Sequence, residues 1–302
     1  MKKKIFIFLS IIIIIFVPTV LTEIYLKFIG LGKPVTYDDN FVYGYSPKPN
    51  QKNKRFYGST VTINDVGLRS IINWKNNKDK KKIVFFGDSV TYGGSYIDDK
   101  KLFSHLICDK IKNDDYICGN AGVNAYGIFN IVFRSRYDER LNEDHLRIFL
   151  LVPDDFYRGL QDENTAHFYL NNNEFVFPAI FEALNFLSTK YSIRNFISKV
   201  SDNNNKKNQY DLINESIKIF NSEIDRLKSL NKKFLIFYSP SKTKNNLNDF
   251  IYNQIFKNID YEITDLSAYL DNDMYKDSVH YNEKGHLKVS EIISKKILLD
   301  LK

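Results

Sequence analysis

The stretch Ile83-Val84-Phe85-Phe86-Gly87-Asp88-Ser89 decides the fold of this 302-residue chain. Four apolar residues without a polar break read as a strand buried on both faces. The Gly-Asp-Ser that follows ends the strand and projects the Ser89 hydroxyl at the edge of a sheet. Alone, Gly-Asp-Ser is ordinary turn chemistry. Near the C-terminus, Asp277-Ser278-Val279-His280 puts a histidine three residues after an aspartate in one loop. Serine, histidine and aspartate are the nucleophile, the base and the group that orients the base in acyl transfer.

Outward from Ser89, strands and helices alternate. Helical spacing covers Leu102–Ile111, Ile128–Leu141, Leu212–Leu230 and Gly285–Leu301. Short apolar runs mark strands at Tyr116–Cys118, Leu146–Val152, Lys233–Tyr238 and, weakly, Tyr261–Thr264. Leu146–Val152 is broken only by Arg147, as expected of a central parallel strand. This alternation predicts an α/β protein, a three-layer α/β/α sandwich around a parallel sheet. Ligands bind such sheets at the carboxyl ends of the strands. Ser89, Ala125 and Asp154 all follow such ends, so they surround one crevice.

Phe85-Phe86-Gly87-Asp88-Ser89-Val90-Thr91-Tyr92-Gly93 resembles the first block of the SGNH (GDSL) hydrolases, in which the serine is the nucleophile. Asp277 to His286 resembles the last block, which implies that Asp277 orients His280 and His280 deprotonates Ser89. Asn120 to Gly127 resembles the second block, with Ala125 where the family usually has an oxyanion-hole glycine. Val152-Pro153-Asp154-Asp155-Phe156 resembles the third. The resemblance implies a flavodoxin-like sandwich and an oxyanion hole built from Ser89, Ala125 and Asp154. Asp154 stands where the family has an asparagine that donates to the oxyanion. An ionised carboxylate cannot donate a hydrogen bond. Losing one such donor costs about 100- to 1,000-fold in rate. Asp154 must either stay ionised and suppress the reaction, or hold a proton in an apolar pocket near Asp155. Asn124 is the nearby amide that could substitute. Asp88 and Asp155 read as turn-holding residues, and His286 as a structural residue opening the last helix. His105, His145 and His167 read as surface or core residues.

Residues 1–32 form an anchor. Lys2-Lys3-Lys4 precedes an apolar run from Ile5 to Leu21, near the length that spans a bilayer. The lysines stay cytoplasmic, and no small-x-small site favours cleavage. The expectation is a single-pass transmembrane helix in the inner (cytoplasmic) membrane, with the C-terminal domain periplasmic or extracellular. Residues 33–81 read as a stem, polar from Lys33 to Asn53, and a short hairpin within Phe56–Arg69. Residues 82–302 are the hydrolase-like domain. Its insertion at about 156–207 carries an aromatic stretch, Phe175–Phe196, and a loop, Asp202–Lys207; it reads as helical and beside the site.

The net charge of +7 comes without a long basic run interleaved with aromatics, so nucleic-acid binding has no support. Cys108 and Cys118, the only cysteines, read as small buried hydrophobes. No Cys/His cluster has zinc spacing, and no metal or cofactor is expected. The leading expectation is a serine esterase removing O-acetyl or similar acyl groups from a cell-envelope glycan. An O-acyltransferase passing the acyl group to a sugar hydroxyl uses the same triad. A catalytically weakened binding or accessory protein is the reading that Asp154 motivates.

Overall fold

The computed structural model describes residues 2–111, 115–162, 178–185, 187, 204–243 and 245–300, with backbone alone at 2–4, 6–9, 11 and 204–208. Helix α1 (Lys2–Phe28) runs 27 residues with Pro18 inside it. No helix among the described residues is long and apolar enough to cross a membrane; the side chains at 6–9 and 11, within the expected span, lie outside them.

Two antiparallel pairs follow: β1 (Tyr37–Asn40) with β2 (Gly44–Pro47), and β3 (Gln51–Lys54) with β4 (Thr60–Ile63). The stem expected at Lys33–Asn53 is therefore folded structure. Val35, Tyr37 and Tyr45 are buried in the same core as the main sheet. Their apolar bodies pack inward while the polar residues between them face water. The base of α1 is fastened as well. Glu23 accepts the N–H groups of Ala179 and Ile180 at 2.9 and 3.0 Å. Arg55 and Glu182 form a buried ion pair, and Arg55 also donates to the carbonyl of Gly30 at 2.9 Å. The described part of the insertion, helical at 179–185, thus grips the start of the chain. Most of Phe175–Phe196, residues 202 and 203 of the loop, and His167 lie outside the described residues.

Strands β5 (Lys81–Phe86), β6 (Tyr116–Asn120), β7 (Leu146–Leu151), β8 (Lys233–Tyr238) and β9 (Ile263–Asp265) form one parallel sheet in the order β6-β5-β7-β8-β9. This is the doubly wound order of flavodoxin-like folds. Ile83 and Phe85 face one side, and Val84 and Phe86 the other. The first side packs against α3 (Phe103–Ile111) and the C-terminal helix, through Phe103, Ile107, Val289 and Ile293. The second packs against α4 (Ile128–Tyr137), α5 (Asn204–Ser229) and α6 (Asn246–Asn258), through Ile131, Phe220 and Ile251. The last helix, α7, is Glu283–Asp300. Burying each such side chain contributes about 1.5–3 kcal/mol relative to exposure. Arg147, the one charge inside β7, is buried with Asp144 and Ser135 as partners.

Two expectations need correction. Cys108 and Cys118 form a disulfide, their Cα atoms 6.0 Å apart, because α3 packs directly along β6. Helix α5 begins at Asn204, so residues 204–207 of the expected loop are helical. An established helix extends at one hydrogen bond per residue without needing an apolar stripe. Helix α6 was not legible among its asparagines.

Candidate active site

The turn after β5 has no room for a side chain at Gly87. A Cβ there would collide with Thr91 Oγ1 and the carbonyl of Leu150, so glycine lets the chain pass between β7 and the short helix α2 (Ser89–Tyr92). Asp88 caps that helix, its Oδ1 accepting the Val90 N–H at 2.8 Å. Ser89 is then the first helical residue, where the backbone N–H has no intrahelical partner. The loop after β6 is drawn alongside, with the Val123 N–H donating to the Gly87 carbonyl at 3.2 Å.

The late loop closes the site from the other side. Lys276 N–H donates to the His280 carbonyl at 2.8 Å. Within this narrow turn Asp277 Oδ1 accepts the backbone N–H groups of Val279 and His280 at 3.0 and 2.8 Å. Asp277 Oδ2 lies 2.8 Å from His280 Nδ1, and His280 Nε2 lies 2.8 Å from Ser89 Oγ. Burial raises the Asp277 carboxyl, but the hydrogen bonds from the His280 ring and the two backbone N–H groups outweigh it and hold the group far below its usual range. Asp277 is thus an anion, and Nδ1 of a neutral His280 is assigned the proton. Nε2 is left to accept from the serine. Burial lowers His280, yet the hydrogen bond and charge of Asp277, with the charge of Asp88, carry it above the ordinary imidazole value. Ser89, His280 and Asp277 are therefore in contact as one chain of hydrogen bonds.

Ala125 has φ +65°, the left-handed region, which costs a non-glycine residue about 1–2 kcal/mol. Its N–H makes no hydrogen bond among the described residues. The loop is braced from behind by the N-terminal hairpin. Tyr45 OH donates to the Asn124 carbonyl at 2.7 Å, and Tyr126 OH donates to the Tyr45 carbonyl. The Asn124 side chain is exposed, and no hydrogen bond ties it to Ser89.

Asp154 is not in an apolar pocket. It is a quarter exposed, and its Oδ2 accepts from Arg158 Nη2 at 3.2 Å. The carboxyl pushed up is Asp155, by burial first and then by the charge of Asp88. Asp155 fixes its loop, accepting the Val152 N–H at 3.0 Å. Arg158 also donates through Nη1 to Asp88 Oδ2 at 2.8 Å and to the Tyr126 carbonyl at 3.0 Å. One guanidinium therefore joins the loops that follow β5, β6 and β7. The sequence reading missed it. Its one signal is a cation four residues after Asp154, in a loop with two adjacent carboxylates.

His286 is buried against Phe103 and Tyr281. Burial and then the charge of Arg69 pull it down to about 3, so it is a neutral packing residue. His105 is a helix residue on α3, and His145 Nδ1 accepts the Lys82 N–H at 3.4 Å. Among the described residues no group of His, Cys, Asp and Glu is placed to hold a metal ion.

No protein-family model matches the chain, and no curated protein matches it. Solved structures do. The acetyl xylan esterase AlAXEase is 16% identical, over 72% of this chain and 99% of its own, with a TM-score of 0.45. The acetylxylan esterase Axe2 from Geobacillus stearothermophilus is 13% identical, over 73% and 96%, at 0.47. The psychrotrophic esterase EstA from Pseudoalteromonas sp. is 13% identical, over 73% and 100%, at 0.44. With TM-scores below 0.5, none of these likenesses bears on the activity.

Proposed function

We propose that this chain is a serine ester hydrolase of the SGNH type, removing O-acetyl or similar acyl groups from a cell-envelope glycan. The observation that carries the reading is the chain of contacts from Asp277 through His280 to Ser89, each 2.8 Å long. Ser89 Oγ attacks the ester carbonyl carbon, and its proton passes to His280 Nε2. The carbonyl electron pair moves onto oxygen, facing the N–H groups of Ser89 and Ala125. Collapse of this oxyanion expels the sugar oxygen, which takes the proton from His280. Water, deprotonated by His280, then releases the acid from the acyl-Ser89 ester.

An exposed aromatic, Tyr57, and a half-buried one, Tyr96, lie near the late loop and suit a sugar. Lys276 precedes Asp277 and lies 3.4 Å from the centroid of the Tyr96 ring and 5.2 Å from that of Tyr57. Tyr57 is 87% exposed and its backbone is left-handed at φ 58°. We further propose that α1 anchors the domain to the outer face of the cytoplasmic membrane. The Ile5–Leu21 run supports this, as do the exposed side chains of Ile13, Ile14, Ile15 and Phe16. A disulfide fits an oxidising compartment.

The test is hydrolysis of p-nitrophenyl acetate by the full chain in detergent, beside Ser89→Ala. The variant should lose turnover and melt like the parent. Wild-type turnover in Ser89→Ala would sink the reading, as would a folded parent inert to p-nitrophenyl esters.

A further inference from the structure

Three acidic side chains gather at one cation near the nucleophile: Asp88, whose Oδ2 lies 3.4 Å from Ser89 Oγ, and Asp154 and Asp155 on the loop after β7, 3.2 and 3.6 Å from the guanidinium. Unopposed, they would repel the negative charge that grows on the substrate oxygen. The cation among them is Arg158, and its donors divide unevenly. Both N–H bonds of Nη1 are used, on Asp88 Oδ2 and on the Tyr126 carbonyl. Nη2 spends one on Asp154 Oδ2. The second N–H of Nη2 makes no hydrogen bond among the described residues. The Arg158 side chain is only 22% exposed, so its charge acts in a site poor in water. Asp88 Oδ2 lies 2.8 Å from Arg158 Nη1 and 3.4 Å from Ser89 Oγ, so one oxygen bridges guanidinium and nucleophile. Nη1 is also held at the carbonyl of Tyr126, the residue after Ala125.

We infer that Arg158 is the oxyanion donor that Asp154 cannot be. It cancels the Asp154 carboxylate and offers its remaining Nη2 N–H to the oxygen of the tetrahedral intermediate, beside the N–H groups of Ser89 and Ala125. This rests on the esterase reading. It accounts for a third loop that carries an acid without disabling the site. Sequence alone leaves the acid unexplained, because the compensating charge sits one helical turn away and is aimed by contacts from two other loops.

The test compares wild type, Arg158→Lys, Asp154→Asn and the double variant, with p-nitrophenyl acetate turnover and the rate of Ser89 labelling by a fluorophosphonate as parallel readouts. Lysine keeps the cation that buried Asp88 and Asp155 face, but a point charge cannot hold three acceptors and still donate to a fourth. Arg158→Lys should lower kcat about 100-fold with KM changed much less, as for loss of one oxyanion donor. Labelling should slow in parallel. Asp154→Asn restores an amide donor and removes the repulsion. It should therefore raise kcat at least about tenfold more when added to Arg158→Lys than when added to wild type. Wild-type kcat in Arg158→Lys, additive effects in the double variant, or unfolding of Arg158→Lys would overturn the proposal and leave Arg158 a structural residue. A wild type that neither turns over ester nor labels at Ser89 would instead overturn the esterase reading itself.

Discussion

Replacing Asp277 by asparagine probes the base of the site directly. The change removes a carboxylate that sits 2.8 Å from His280 Nδ1 and leaves the shape of the side chain. Hydrogen bonds to charged groups are worth about 1.5–3 kcal/mol. Burial pulls His280 down, and the bond and charge of Asp277 hold it up against that pull, so losing them should lower the His280 pKa. The sign follows from the chemistry. Turnover needs neutral His280, so kcat rises with pH through the His280 pKa. In the parent that limb lies above the ordinary histidine value, because Asp277 and Asp88 together outweigh burial. In Asp277→Asn it should move to lower pH. The plateau should fall too, because asparagine does not enforce the tautomer. In serine proteases with a buried aspartate this loss is about 10⁴. Here half of the Asp277 side chain is exposed, and water can partly replace it, so a loss of about 10² to 10³ is expected. The assay is the pH profile of p-nitrophenyl acetate hydrolysis, corrected with Ser89→Ala. A limb that stays in place or moves upward, or a plateau loss under about tenfold, would refute the reasoning.

Stability should respond with a definite sign as well. Asp277 is depressed in the folded chain, so its contribution is present above the ordinary carboxylate pKa and is lost as pH falls through its own. Asp277→Asn should therefore melt below the parent at neutral pH, with the gap closing in acid; a constant gap would contradict the assignment. Ala125→Gly should raise stability by about 0.5–1 kcal/mol in urea, the left-handed strain less the entropy cost of glycine; destabilisation would contradict the φ of +65°. Replacing both cysteines by serine opens a loop with a sequence separation of 10 and should cost about 2.7 kcal/mol on the chain-entropy model. Equal denaturation midpoints would show that the cysteines are unpaired.

Strands β5, β7 and β8 were legible because a strand buried on both faces leaves a nearly continuous apolar run, as in Ile83–Phe86 and Phe234–Tyr238, whereas the short, half-buried β9 gave only a weak signal. The contact of Ser89, His280 and Asp277 could be anticipated because Asp277 and His280 share one tight loop and Ser89 opens the short helix that follows a buried strand. What depends on distant segments meeting could not be. The strands of the N-terminal hairpins are four residues each, too short to show a period, and their tyrosines are buried only because the sheet lies beneath them. The spacing of Cys108 and Cys118 says nothing about the packing of α3 on β6. Arg158 reads as a loop cation until Asp88, Tyr126 and Asp154 are brought to it by three different strand ends.

The central claim is that Ser89 is a nucleophile activated by His280. The most direct measurement is mass spectrometry of the folded full chain after exposure to a fluorophosphonate, with Ser89→Ala and His280→Ala alongside. One adduct is expected, on the peptide containing Ser89, absent from Ser89→Ala and strongly slowed in His280→Ala. No adduct at Ser89, an adduct elsewhere that persists in Ser89→Ala, or labelling that does not depend on His280 would contradict it.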